Sequence, residues 1–162
     1  MNTREKILGR EALTGELAAE REKGRRIVFA NGCFDILHVG HVRYLAAARE
    51  EGDVLVVGVN SDSSTRTLKG SARPILAEMA RAELVAALAV VDYVTIFEEL
   101  NVEALLTTVR PHVHAKGTDY SAETVPEREL AARLGIRVAI TGDPKNHSTR
   151  DLIATVRDRA NG

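Results

Sequence analysis

Two kinds of apolar pattern alternate along the chain. Arg26-Ile27-Val28-Phe29-Ala30 and Val54-Leu55-Val56-Val57-Gly58-Val59 are short, nearly unbroken apolar runs, the form taken by strands covered on both faces. Between them Val42, Leu45 and Ala46 recur at helical spacing, which predicts a helix from His41 to Glu51 that Gly52 closes. Strand, helix and strand within about 35 residues make a βαβ unit with a right-handed crossover. Tyr93–Phe97 reads as a third strand, His112–Ala115 as a short fourth and Ile136–Ile140 as a fifth.

The helices between them follow the same logic. Arg10 to Glu22 places Leu13 and Leu17 on one face of an otherwise charged helix, and Gly24 ends it. Further helices are expected from Ala77 to Ala89 and from Val102 to Val109. Another has Pro126 in its first turn and Gly135 at its close, and a last one is capped by Ser148. Asn60 to Ala72 reads as a polar loop. No repeat, low-complexity tract or linker interrupts the pattern. The expectation is one α/β domain over 1–162, with residues 1–25 as a leading helix and 26–162 as the core. The core should be a Rossmann-like, five-stranded, mainly parallel sheet with helices on both faces.

Composition narrows the function classes. The 162 residues hold 22 basic and 23 acidic side chains, so no global field draws the chain to nucleic acid or to a membrane surface. There is no Trp and aromatics are few, which argues against a stacking platform for single-stranded nucleic acid. No apolar run approaches the roughly 18 residues of a membrane span, and no signal peptide precedes the first strand. Cys33 is the sole cysteine, so an internal disulfide is excluded and a cytoplasmic location is the default. Its place in the first turn favours a packing or backbone role over a reactive thiol.

Candidate chemistry gathers where strands end. The stretch Ala30-Asn31-Gly32-Cys33-Phe34-Asp35-Ile36-Leu37-His38-Val39-Gly40-His41 joins the first strand to the first helix. His38 and His41, three apart, share one face of the helix start, beside backbone N–H groups that attract anions. Gly40 leaves room for a ligand between them. Lys69 follows the second strand, Lys116-Gly117-Thr118-Asp119-Tyr120 the fourth, and Ser148-Thr149 the fifth. In a parallel sheet all of these converge on the crevice at the carboxyl ends of the strands. Plainer readings stand beside each: helix-start histidines or half a zinc site, solvated loop cations at Lys69 and Arg73, and a simple cap at Ser148 with Asp151. His112 and His114, two apart on a strand, have a spacing that can ligate zinc, but no third ligand matches them, and a partly buried pair is the favoured reading.

The Phe34-Asp35-Ile36-Leu37-His38-Val39-Gly40-His41 run resembles the His-x-Gly-His signature of the nucleotidyltransferase superfamily. Leu68-Lys69-Gly70, Arg73-Pro74-Ile75, Arg81 to Leu88, Val91-Asp92-Tyr93-Val94 and Lys116 to Tyr120 are similar to its heptose-phosphate adenylyltransferase branch. The resemblance covers nearly the whole chain. It implies transfer of AMP from ATP to D-glycero-β-D-manno-heptose 1-phosphate, giving ADP-heptose for surface polysaccharide and releasing pyrophosphate.

The same resemblance implies roles for the residues. His38, His41 and Lys69 are the catalytic set. The backbone at Gly32-Cys33-Phe34, with Gly40, His41, Lys116, Gly117, Ser148 and Thr149, holds the nucleotide, and His147 lies close to its triphosphate. Asp35, Asp119 and Tyr120 line the sugar side, with Arg73 and Arg81 as further anion contacts. Arg150 stands where many relatives have a second Thr. Mg²⁺ is expected with ATP, held largely by phosphates and water, and no metal ligated by the protein itself. Many relatives carry the domain behind a sugar kinase, so a separate kinase is expected, as is a homodimer. The alternatives are a CTP-dependent enzyme acting on glycerol phosphate or a similar alcohol phosphate, a non-catalytic nucleotide-binding module, and a metal-binding protein.

Overall fold

The computed structural model describes residues 2–121, 123–144 and 148–160. Its centre is a five-stranded parallel sheet, β1 (Ile27–Gly32), β2 (Val54–Asn60), β3 (Tyr93–Phe97), β4 (Val113–Gly117) and β5 (Arg137–Thr141), in the order β3-β2-β1-β4-β5. The chain winds from β1 outward to β3, then returns to lay β4 against the other side of β1. The strand order therefore reverses between β1 and β4, and a crevice opens there at the carboxyl ends.

Alternation along β1 separates two cores. Val28 and Ala30 face α2 (Val39–Arg49) and α4 (Glu78–Ala86), and join Leu45, Ala48, Val57, Val85 and Ala115 in one cluster. Ile27 and Phe29 face α1 (Arg10–Glu22) and α5 (Glu103–Val109), and join Leu13, Leu17, Val56 and Leu106 in the other. Every residue of β2 is buried, which is why its sequence is a continuous apolar run.

α1 matches its expected bounds, with Leu13 and Leu17 fully buried. Ahead of it, a 3₁₀ turn at Thr3–Lys6 leads Ile7 to bridge Val94, with Leu8 N–H donating to the Val94 carbonyl at 2.8 Å. α6 (Arg128–Leu134) begins two residues beyond Pro126 and ends where Gly135 takes φ 70°. α7 (Thr149–Ala160) completes the chain. Among the described residues no helix is long and apolar enough to cross a membrane.

One expectation fails in the 60–72 segment. It is not a loop throughout, because Asp62–Lys69 forms the helix α3. Its sequence, Asp-Ser-Ser-Thr-Arg-Thr-Leu-Lys, has no broad apolar stripe to betray it. The helix rests instead on its start: Ser61 Oγ accepts from Ser64 N–H at 3.1 Å, and Asp62 N–H donates to Glu78 Oε2 at 2.7 Å. Lys69 is thus the exposed last residue of a helix.

Leu17 lies wholly within the α1–α5 side of the core. Leu17→Ala should destabilise the domain by about 2–5 kcal/mol, measured by urea unfolding. A loss below about 1 kcal/mol would show that α1 is not part of the cooperative fold.

Candidate active site

The first-strand turn is built against its own backbone preferences. Phe34 and Ile36 both adopt positive φ, 49° and 58°, conformations that disfavour large and β-branched side chains. Asp35 between them supplies the restraint. Its carboxylate is 2% exposed and accepts from Ile75 N–H at 2.9 Å, Leu76 N–H at 3.0 Å and Arg73 Nε at 2.6 Å. Burial pushes this carboxyl up, but the two N–H donors and the guanidinium outweigh it, and the net shift is downward. Asp35 therefore lies beneath the crevice as a clasp, where the resemblance implied a wall of the sugar site.

Arg81 is likewise not an anion contact in this structure. Its side chain is fully buried, and its guanidinium donates to the carbonyls of Cys33 and Leu76 and to Asp62 Oδ1. It pins the far side of the same turn. Arg73, half-buried, spends Nε on Asp35.

With the turn held, the histidines meet at the α2 N-terminus. His38 is the N-cap, and its Nδ1 accepts from Gly40 N–H at 3.1 Å. His41 Nδ1 accepts from His38 N–H at 3.4 Å. The rings stack at 3.9 Å between centroids, and Phe34 meets the His41 ring edge-on at 5.2 Å. Because both Nδ1 atoms act as acceptors, each neutral ring carries its proton on Nε2. The pair is thus arranged as two Nε2–H donors at the start of a helix. The sequence placed that start at His41; it lies at Val39, so His38 caps the helix and His41 belongs to its first turn.

A second helix start is tied to the first. Thr149 Oγ1 donates to the Asp35 carbonyl at 2.7 Å, and Ser148 Oγ accepts from Asp151 N–H at 3.1 Å as an N-cap. The approach to α7 passes close over α2: Gly142, at φ 94°, has room for a Cβ only 3.1 Å from Tyr44 Cα. Arg43 pairs with Asp143 at 3.1 Å, and Thr118 donates to the Asp143 carbonyl at 2.8 Å. Two positive helix ends and two imidazoles are so drawn to one place, an arrangement suited to a polyphosphate. His147 lies outside the described residues.

The remaining candidates fall around this centre. Gly32 ends β1, where a Cβ would come 3.2 Å from the Phe34 ring, and Cys33 is half-buried. Gly40 lies in the first turn of α2. At the end of β4, Lys116 is buried, 3.5 Å from Glu127 Oε2 and 4.6 Å from the centre of the Tyr120 ring. Gly117 ends the strand, and Asp119 and Tyr120 are exposed beyond it. Lys69 is exposed on the β2 side.

Neither His112, which lies just ahead of β4 rather than in it, nor His114 has a zinc-like setting. His112 Nδ1 accepts from Ile27 N–H at 2.9 Å, while His114 is buried against Asn31. Among the described residues no three His, Cys, Asp or Glu side chains are grouped to hold a metal. A separate concavity of about 580 Å³ lies beside the end of β3, lined by Arg10, Ile96, Phe97, Glu98 and Glu99. Its two glutamates make it a poor host for phosphate. Sequence reasoning missed the Asp35 and Arg81 clasps, since charge and position alone do not say whether a side chain points into the crevice or under it.

The family described as cytidylyltransferase-like matches residues 29–155. The chain is 48% identical over 154 residues to a bifunctional protein HldE from Pelobacter propionicus, and 48% identical over 155 residues to one from Rhodopseudomonas palustris. Each alignment covers 95% of this chain and 32% of the relative, so the chain spans about a third of their length. Among solved structures, the lipopolysaccharide core biosynthesis protein from Thermoplasma volcanium is similar, with a TM-score of 0.64 and 30% identity. That match covers 75% of this chain and all of the other.

The Asp35 clasp predicts an acid-side stability slope. A depressed carboxyl contributes stability above its unfolded value of about 3.9, and that contribution is lost as pH falls through the lower folded value. Asp35→Asn should therefore cost about 3–5 kcal/mol at neutral pH and flatten the decline of stability below about pH 4, measured by chemical unfolding across pH. An unchanged profile would remove the clasp from the account.

Proposed function

The chain is a nucleotidyltransferase of the cytidylyltransferase-like family, and on that premise we propose that it transfers AMP from ATP to a sugar 1-phosphate. The sugar phosphate we assign is D-glycero-β-D-manno-heptose 1-phosphate, with ADP-heptose and pyrophosphate as products. The observation that carries the chemistry is the pair of Nδ1-anchored histidines at the α2 start, beside the capped start of α7. The sugar assignment is supported by the similarity to the HldE proteins and to a lipopolysaccharide core biosynthesis protein.

No protein nucleophile is required. An oxygen of the sugar phosphate attacks the α-phosphorus in line, the bond from that phosphorus to the bridging oxygen breaks, and pyrophosphate leaves with the electron pair. Alignment of two anions and stabilisation of the charge that develops on the bridging and equatorial oxygens then make up the catalysis. His41 and His38 donate from Nε2 to those oxygens, and the α2 and α7 N–H groups hold the flanking phosphates. Ser148 and Thr149 fix the α7 start. Lys69 and the terminal nitrogens of Arg73 add positive charge from the β2 side.

Lys116, Gly117, Asp119 and Tyr120 close the β4 side, with Asp119 and Tyr120 nearer the sugar. Mg²⁺ belongs to the substrate, carried by the phosphates of ATP. Asp35 at the α2 turn and Asp151 at the α7 start are engaged by protein donors, and among the described residues no three such side chains are grouped to hold a metal.

The test is pyrophosphate release, screened over ATP and CTP against heptose 1-phosphate and glycerol phosphate. Turnover confined to ATP with the heptose phosphate is expected; turnover with CTP and glycerol phosphate would replace the assignment. His41→Ala should lower kcat by about 10²–10³ while ATP affinity stays within about tenfold, because this donor meets charge that peaks in the transition state. His41→Asn should fall between. A His41→Ala protein that is folded and within about threefold of wild-type turnover would contradict this mechanism.

A further inference from the structure

Below the crevice, on the face of the sheet opposite α2, a polar pair lies against the ring of Phe29. His114 in β4 is fully buried, its ring 5.7 Å from that of Phe29, and its Nε2 lies 3.1 Å from Asn31 Oδ1 in β1. Its other nitrogen, Nδ1, is buried without a hydrogen-bond partner. Asn31 is half-buried as the penultimate residue of β1, before Gly32, at the point where strand order reverses.

We propose that Asn31 binds substrate through its side-chain Nδ2 and that His114 is the positioning residue that holds the amide in that orientation. The neutral imidazole has one N–H and one lone pair, and the two ends are not equivalent here. A buried N–H without an acceptor is the costlier fault, so the proton resides on Nε2 and is donated to Asn31 Oδ1, and Nδ1 keeps the unshared lone pair. Burial, reinforced by the charge of Lys116, pushes the imidazole down to about 3, so the ring stays neutral throughout the physiological range.

His114 is in register with Phe29, two residues before Asn31, so its bond draws the amide oxygen toward the amino-terminal side and leaves the NH₂ on the side of the carboxyl end of β1. Leu or Val at position 114 would pack as well and leave the amide free to flip. The retained imidazole, with an unsatisfied nitrogen, is a cost in stability that orientation of Asn31 explains. The ligand group is an acceptor oxygen, anionic or hydroxyl, of a nucleotide or of a sugar phosphate. The identity of those ligands rests on the function proposed above; the coupling of the two residues does not.

The test is a double-mutant cycle on the full chain with Asn31→Ala, His114→Leu, the double variant, and His114→Gln, whose amide nitrogen reaches about as far as Nε2. Affinities for ATP and for heptose 1-phosphate are titrated separately, with KM and kcat beside them and thermal unfolding of each variant. Asn31→Ala should weaken one of the two ligands about tenfold, the effect of one hydrogen bond to a charged group. His114→Leu should weaken the same ligand, the double variant should be no worse than Asn31→Ala alone, and His114→Gln should restore most of the loss. His114→Leu should melt no lower than wild type.

The two titrations say which ligand Asn31 reads. Both affinities indifferent to Asn31→Ala, or His114→Leu and Asn31→Ala adding independently, would overturn the proposal. So would a His114→Leu defect that follows a lowered melting temperature. Turnover absent from wild type, with the affinity cycle still coupled, would sink the proposed reaction and leave this inference standing.

Discussion

The site depends on one buried carboxylate. Asp35 lies between two residues held at positive φ, and its side chain accepts from Ile75, Leu76 and Arg73 while its carbonyl accepts from Thr149. A single residue thereby fixes three segments: the turn that ends in the histidines, the approach to α4 and the start of α7. Arg81 fixes the same turn from the opposite side, through the Cys33 and Leu76 carbonyls and Asp62. A strained backbone persists only when its surroundings over-determine it, and here two buried charges do so. The strain serves the histidines, which a relaxed turn would deliver at another angle.

With that turn fixed, function follows from where hydrogen-bond capacity is spent. Each histidine uses Nδ1 to satisfy a backbone N–H that the helix itself cannot pair. In the proposed reaction the cap and the donor are the same ring, read from its two nitrogens. Helix capping, usually a matter of stability alone, here sets the tautomer and the direction of the donor. In the proposed reaction the convergence of the α2 and α7 starts would supply a fixed positive field that needs no reorganisation as charge moves onto the departing pyrophosphate.

Much of this was legible in the sequence, and the exceptions have physical causes. β1 and β2 could be read directly because nearly unbroken apolar runs allow few alternatives, and α1 because Leu13 and Leu17 are its buried face. α3 escaped because a polar helix stabilised by Ser61 and Glu78 has no apolar periodicity to detect. The His38–His41 spacing foretold that the two rings would meet at a helix start. Spacing could not say that Asp35 and Arg81, each a plausible ligand contact by charge, turn inward and spend their groups on the backbone and on Arg73 and Asp62. The His114–Asn31 pair was equally hidden, since it joins two strands distant in sequence, and the two-residue interval to His112 drew attention to metal chemistry instead.

The central claim is that both histidines are anchored through Nδ1 and present Nε2–H to the ligand. Two-bond ¹H–¹⁵N correlation spectra report directly which ring nitrogen is protonated. They would be recorded at about pH 8, above the ordinary titration of imidazole, with His38 and His41 assigned through their Asn variants. The account predicts the Nε2–H tautomer for both rings. A proton on Nδ1 of either would break its cap, turn its acceptor nitrogen toward the phosphates and contradict the account.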